Sequence, residues 1–185
     1  MLAIRKSLRP LILCLSLAVL IGGAYLFYHA FFESPVPSAP EIVTPGDGLH
    51  DFRAETQAGD PVHLADFLGR PTVVYFWTSW CPWCTRGLAE LELLYEEVGD
   101  TVQILVVNLP HLGRRPNELE SGRALMAEGG FSFPSLYDVH GEAQAAYGIS
   151  GVPMALFIDA EGRLVHHQLG FMDAEALLHT VAQFH

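Results

Sequence analysis

Two apolar runs constrain the fold of this chain more than any other feature. Pro71–Trp77 reads PTVVYFW and Thr101–Asn108 reads TVQILVVN. Both are rich in β-branched and aromatic residues and lack the polar alternation of a half-exposed strand. Each is therefore predicted to be a strand buried on both faces. Between them, Leu88, Leu91, Leu94 and Tyr95 recur at helical spacing within Cys84–Val98. Two buried strands joined by a helix predict a parallel pair with a right-handed crossover.

The surrounding sequence extends this unit into an α/β domain. Asp51–Thr56 and Pro61–Leu64 read as short strands around the turn Gln57-Ala58-Gly59-Asp60. Asn117–Glu128 reads as a helix ending at Gly129-Gly130, and Glu142–Tyr147 as a short helix. Phe131-Ser132-Phe133-Pro134 leads into a short strand. Ala155–Ile158 and Arg163–Leu169 flank Asp159-Ala160-Glu161-Gly162 and predict a hairpin. Asp173 is placed to cap a last helix. The expected architecture is a central mixed sheet with helices on both faces. Glu90, Glu92, Glu96 and Glu97 are expected to form a solvated helix face.

The N-terminus differs in kind. Leu11–Tyr28 is a stretch without charge, close to the roughly 20 residues that cross a bilayer as a helix. Arg5, Lys6 and Arg9 precede it, which predicts a cytoplasmic N-terminus and an extracytoplasmic domain. A cleaved signal peptide is the rival reading. Its small residues, Gly22-Gly23-Ala24, lie inside the apolar run, which favours an uncleaved anchor. Cys14 falls within the same run and reads as a membrane-buried hydrophobe. Residues 33–49 hold four prolines and two glycines and read as an extended spacer. The expected organisation is an anchor over 1–32, a linker over 33–49 and a folded domain over 50–185. Beyond Phe32, seven basic residues face all 21 acidic ones, a balance of −14. Such a domain is not expected to bind nucleic acid, which needs a basic face.

Chemistry concentrates at Trp80-Cys81-Pro82-Trp83-Cys84, where the first buried strand hands over to the helix. A cysteine at a helix start faces unpaired backbone N–H groups and the positive end of the helix dipole, which favour its thiolate. The second cysteine, three residues on, lies within reach of the first. Cys81 is thus expected to attack a disulfide and Cys84 to resolve the mixed disulfide. A zinc site would need two further ligands at suitable spacing, and no second C-x-x-C or H-x-x-x-H follows. A purely structural bridge would close too short a loop to gain much entropy. No metal and no organic cofactor are expected; the redox group is the Cys81–Cys84 pair itself. A copper-binding module using the dithiol as soft ligands is an alternative of a different class.

VVYFWTSWCPWC resembles the active-site strand and motif of thioredoxin-fold proteins, and Gly151-Val152-Pro153 before MALFID resembles that family's cis-proline loop. More narrowly, the chain is similar to the TlpA/ResA/CcmG-like group of membrane-anchored thiol-disulfide oxidoreductases. The shared features are an N-terminal anchor, DFLGRPTVVYFW, an inserted segment between VVN and FPSLYD, and YGISGVPMALFIDAEGRLV. The resemblance covers about residues 50–184. It implies a thioredoxin-like fold and disulfide exchange with exported proteins, as a reductase of the cytochrome c maturation or metal-site assembly type. A membrane electron donor would reset such a reductase. An oxidase or isomerase of the same fold is the alternative. The resemblance also implies that Val152 and Pro153 pair with a substrate strand. Trp80, Pro82 and Trp83, around the sulfurs, are expected to contact it.

Four positions depart from the pattern. Tyr75 stands where relatives often carry a buried acid or asparagine, and Gly87 and Ala89 stand where many carry a charged residue and a proline. Gly87 is expected to weaken the helix by about 1 kcal/mol. His111, in Val107-Asn108-Leu109-Pro110-His111, stands where the ResA-like pattern has a glutamate, and is a candidate for proton transfer to and from Cys84. A surface-loop histidine is the alternative.

Overall fold

The computed structural model of the 185-residue chain describes residues 18–27, 46 and 48–184. The chain divides into two units, Met1–Ala39 and Pro40–His185. In the first, residues 18–27 are helical with exposed side chains. The rest of the expected span, Cys14 and most of the expected linker lie outside the described residues. Among the described residues no helix is long and apolar enough to cross a membrane.

The second unit is built on one seven-stranded sheet. Its strands are β1 (Arg53–Thr56), β2 (Pro61–His63), β3 (Thr72–Trp77), β4 (Gln103–Asn108), β5 (Ser135–Tyr137), β6 (Met154–Ile158) and β7 (Leu164–Leu169). Their spatial order is β2-β1-β5-β4-β3-β6-β7. The two apolar runs pair as expected: β3 lies parallel to β4, with Val73 beside Ile104 and Trp77 beside Asn108. The strand β5 is also parallel to β4, whereas β6 is antiparallel to both β3 and β7.

Every residue of β3 and β4 is buried because both sheet faces are covered. Side chains alternate between the faces. Val73, Tyr75 and Trp77 join Ile104 and Val106 in one core with helices α1 (Pro82–Val98) and α4 (Ala174–Val181) and with Met126 of α2 (Glu118–Gly129). Val74 and Phe76 join Leu105 and Val107 in the other, with Phe52, Tyr147 and Ala143 of α3 (Glu142–Ala146).

Helix α1 starts at Pro82, two residues before the periodic apolar pattern begins. Proline at the first helical turn needs no N–H partner, and Cys81 takes the cap position in extended conformation. Asp173 caps α4 as expected, accepting from Ala176 N at 2.9 Å. The acidic face of α1 is only partly solvated. Glu90 accepts from Ala174 N (3.0 Å), at the start of α4, and Glu92 accepts from Ser132 N and Oγ, fixing the lead-in to β5. Only Glu96 and Glu97 of that group are exposed. Free backbone N–H groups at these two places recruit the carboxylates, which helical periodicity alone does not reveal.

Candidate active site

The dithiol lies at the seam between β3 and α1, with two different sulfurs. Cys81 Sγ accepts a hydrogen bond from Cys84 N (3.2 Å), so the cap position aims it at the helix N-terminus. On its other side the Cys81 thiol donates to Val152 O at 3.9 Å. The Val152–Pro153 bond is cis, as the resemblance implied. The strand end at Gly170 donates to Pro153 O (2.8 Å), tying this loop to the end of β7. Both cysteines are free thiols; Cys84 is fully enclosed, and Cys81 retains 6% exposure.

Cys84 lies in the core among Tyr75, Trp77 and Leu88. Burial pushes its thiol well above the ordinary range, and the hydrogen bond with Cys81 acts the same way. A backbone N–H at Thr78 opposes the shift, while negative charge on Cys81 and Glu118 adds to it. Cys84 is therefore held as a neutral thiol, whereas Cys81 Sγ lies against the helix donor at Cys84 N and keeps a small exposure.

Two of the sequence departures prove to be one contact. Tyr75 reaches across to α1, and its hydroxyl donates to Cys84 O (3.3 Å). Burial, followed by the charge of Cys84, drives that phenol to remain protonated. A Cβ at position 87 would fall 2.0 Å from Tyr75 Oη, so Gly87 makes room for the tyrosine. The glycine weakens the helix locally and at the same time lets it close onto β3.

A residue that sequence reasoning missed completes the underside. Glu118, at the start of α2, is 3% exposed. Its carboxylate accepts from Ser79 N (2.5 Å), Ser79 Oγ (2.6 Å) and Asn108 Nδ2 (2.8 Å). It thereby clasps the loop before Cys81 to the end of β4. Gly122, one turn on, admits the Asn108 amide, which would lie 2.8 Å from a Cβ there. Trp77 Nε1, Thr78 Oγ1 and Asn108 Oδ1 are buried beside this clasp without a hydrogen-bond partner among the described residues. The only signal in the sequence was an acid in the first turn of a helix, which is commonplace.

His111, the candidate for proton transfer, is exposed. Its Nε2 pairs with Val139 O (2.8 Å), and its charge bears on Asp138. The carboxylate whose charge bears on Cys84 is Glu118. Trp80 and Trp83 flank Cys81, 37% and 55% exposed, and Pro82 between them is also exposed. Trp83 packs on Phe171 (5.6 Å between centroids). Among the described residues no group of three or more His, Cys, Asp or Glu side chains is placed to hold a metal ion.

A mixed sheet with β3-α1-β4 at its centre, a C-x-x-C pair capping α1 and a cis-proline loop against the first sulfur define the thioredoxin-like class. Within that class the chain belongs to the AhpC/TSA family, whose sequence model matches residues 45–167. Curated relatives agree. The chain is 29% identical to "Thiol-disulfide oxidoreductase ResA" of Geobacillus thermodenitrificans, over 92% of this chain and 91% of that protein. It is 28% identical to "Thiol:disulfide interchange protein DsbE" of Allochromatium vinosum, over 92% and 87%. The crystal structure of the exposed lipoprotein thioredoxin of Streptococcus pneumoniae superposes with a TM-score of 0.63 at 30% identity, covering 72% of this chain and 98% of that one. The chain is an oxidoreductase of this kind.

Proposed function

We propose that the protein exchanges disulfides with exported protein substrates through Cys81 and Cys84, acting as a reductase. Cys81, as thiolate, attacks one sulfur of a substrate disulfide; that bond breaks, and the other substrate sulfur leaves and takes up a proton. Cys84 then loses its proton and attacks Cys81 Sγ. The mixed disulfide breaks, the second substrate thiol is released, and a Cys81–Cys84 disulfide remains. Two electrons pass from the dithiol to the substrate.

The observation that carries this reading is the asymmetry of the pair: one sulfur at a helix N-terminus beside Val152 O, the other enclosed. An extended substrate segment beside Val152 and Pro153 would pair with backbone there as an added strand, with Trp80, Pro82 and Trp83 as its apolar surround. The reductase direction rests on the resemblance to the TlpA/ResA/CcmG-like group.

The setting belongs to the same proposal. Residues 1–32 anchor the chain in the cytoplasmic membrane, 33–49 space the domain from it, and the catalytic domain over 50–185 faces the extracytoplasmic side. That compartment is oxidising, so a membrane electron donor must reduce the Cys81–Cys84 disulfide after each cycle. Cytochrome c maturation or metal-site assembly is the context that the resemblance to the TlpA/ResA/CcmG-like group implies, and the relatives named thiol-disulfide oxidoreductase and thiol:disulfide interchange protein support the exchange chemistry itself.

Trapping tests the mechanism. The Cys84→Ser protein, expressed in its native membrane, is expected to accumulate mixed disulfides with its substrates. Adding Cys81→Ser is expected to remove every adduct. Adducts that persist without Cys81 would overturn the assignment of nucleophile.

A further inference from the structure

The domain beyond Phe32 has only seven arginines and no lysine against 21 acidic residues. Most of its described guanidiniums are internally engaged. Arg53 pairs with Glu142, Arg123 with Glu55, and Arg163 with Asp159 and Glu161. Arg70 donates to Gly99 O, Asp100 O and Gln103 Oε1. Arg86 and Arg115 alone have neither ion pair nor hydrogen bond among the described residues, and both are exposed.

Both free guanidiniums lie on the aromatic rings that flank the dithiol. Arg86 Cζ stands 4.8 Å from the ring centroid of Phe171 and 5.9 Å from that of Trp83. Arg115 Cζ stands 5.3 Å from the ring centroid of Trp80. Gly113, at φ 74°, lets the turn that carries Arg115 close on Trp80, whose Cζ2 would lie 3.0 Å from a Cβ there. Stacking holds each cation over an aromatic ring and leaves its N–H donors free. The acidic side chains of α1 gather toward its other end, where Glu96 and Glu97, with Glu175, line the groove between α1 and α4.

We propose that this rim is a docking surface for an acidic, cysteine-containing segment of a partner protein, with Asp or Glu on both sides of the reacting cysteine. The proposal rests on the disulfide-exchange reading and names its substrate class. Charge complementarity selects the occupant. In a domain of strongly negative balance, the two cations without an ion pair among the described residues lie on the rings next to Cys81, where a substrate sulfur must arrive. A carboxylate meeting either guanidinium completes a charge-assisted pair, and the rings supply apolar contact for the segment between. Such a field also speeds encounter with an acidic partner that the rest of the domain repels.

The test uses three disulfide-linked peptides of one length, with Glu, Gln or Lys flanking the cystine, and a fourth with Glu flanks and Ser in place of Cys. Exchange of the protein with the first three is followed by stopped flow, and binding of the fourth by tryptophan fluorescence. The proposal expects the Glu peptide to react about 5-fold faster than the Gln peptide at low salt, with the Lys peptide slowest. The preference should fade as salt shortens the screening length to about 3 Å near 1 M. It should fall toward unity in Arg86→Gln/Arg115→Gln, and the Ser peptide should bind the unaltered protein but not that variant. Equal rates for all three peptides, a preference for Lys flanks, or a Glu preference that survives in the double variant would overturn the proposal. If the Ser peptide binds as expected while no peptide exchanges, the docking surface stands and the disulfide-exchange reading fails.

Discussion

Beneath Cys84 the protein is closed; beside Cys81 it presents an exposed rim. On the underside, Cys84 is buried in the same core as Tyr75, Trp77 and Leu88, and the Glu118 carboxylate is satisfied by three donors from two other parts of the chain. On the rim, Trp80, Pro82 and Trp83 are exposed, and two arginines rest on aromatic rings with their donors unused. A buried carboxylate held by three donors is rigid and bears on the sulfur above it. An exposed apolar and cationic edge contributes little to folding and is available to a partner. Substitutions below the dithiol should therefore change stability and titration, and substitutions above it should change substrate preference.

The largest effect is expected at Glu118. Replacing it with Ala leaves the Ser79 N–H and the Asn108 amide buried without their acceptor, which should destabilise the protein by about 3 kcal/mol in urea unfolding. A loss under about 1 kcal/mol would mean that the clasp does not hold the underside. Gly87→Ala comes next, because its methyl group must displace Tyr75; overpacking of this kind costs about 2 kcal/mol. Part of that loss should be recovered when Tyr75→Phe is added, so the two changes are expected to couple in a double-mutant cycle. Tyr75→Phe by itself removes one hydrogen bond, and its expected cost is about 1 kcal/mol.

A pH dependence follows from the same enclosure. The fold raises the Cys84 thiol above its unfolded value of about 8.5. The protonated form is favoured in the native state, so this contribution to stability is complete below that value and is lost as pH climbs past it. The reduced protein should weaken steadily above about pH 9, and Cys84→Ser should show a shallower decline. Equal slopes would place the alkaline sensitivity elsewhere. The smallest stability effect is expected on the rim, where Trp83→Ala should alter unfolding by no more than about 0.5 kcal/mol while slowing exchange with peptides.

The same contrast explains what could be read from the sequence. The continuous apolar runs of β3 and β4 announce strands covered on both faces, and the C-x-x-C pair and Gly151-Val152-Pro153 mark the rim by local pattern alone. The underside is assembled from distant segments. Glu118 lies 39 residues from Ser79 and meets it only because β4 returns parallel to β3. Tyr75 and Gly87 read as two separate departures from a family pattern, yet they are one van der Waals contact. Glu90 and Glu92 read from sequence as part of a solvated acidic helix, and only tertiary packing supplies the backbone donors that half-bury them.

The division of labour between the two sulfurs can be measured directly. The reduced protein is treated with limiting iodoacetamide across neutral pH, and the modified cysteine is located by peptide mass spectrometry. The first modification is expected on Cys81, with Cys84 unmodified until the protein is unfolded or strongly alkaline. Modification of Cys84 first, or of both cysteines at equal rates, would contradict the account.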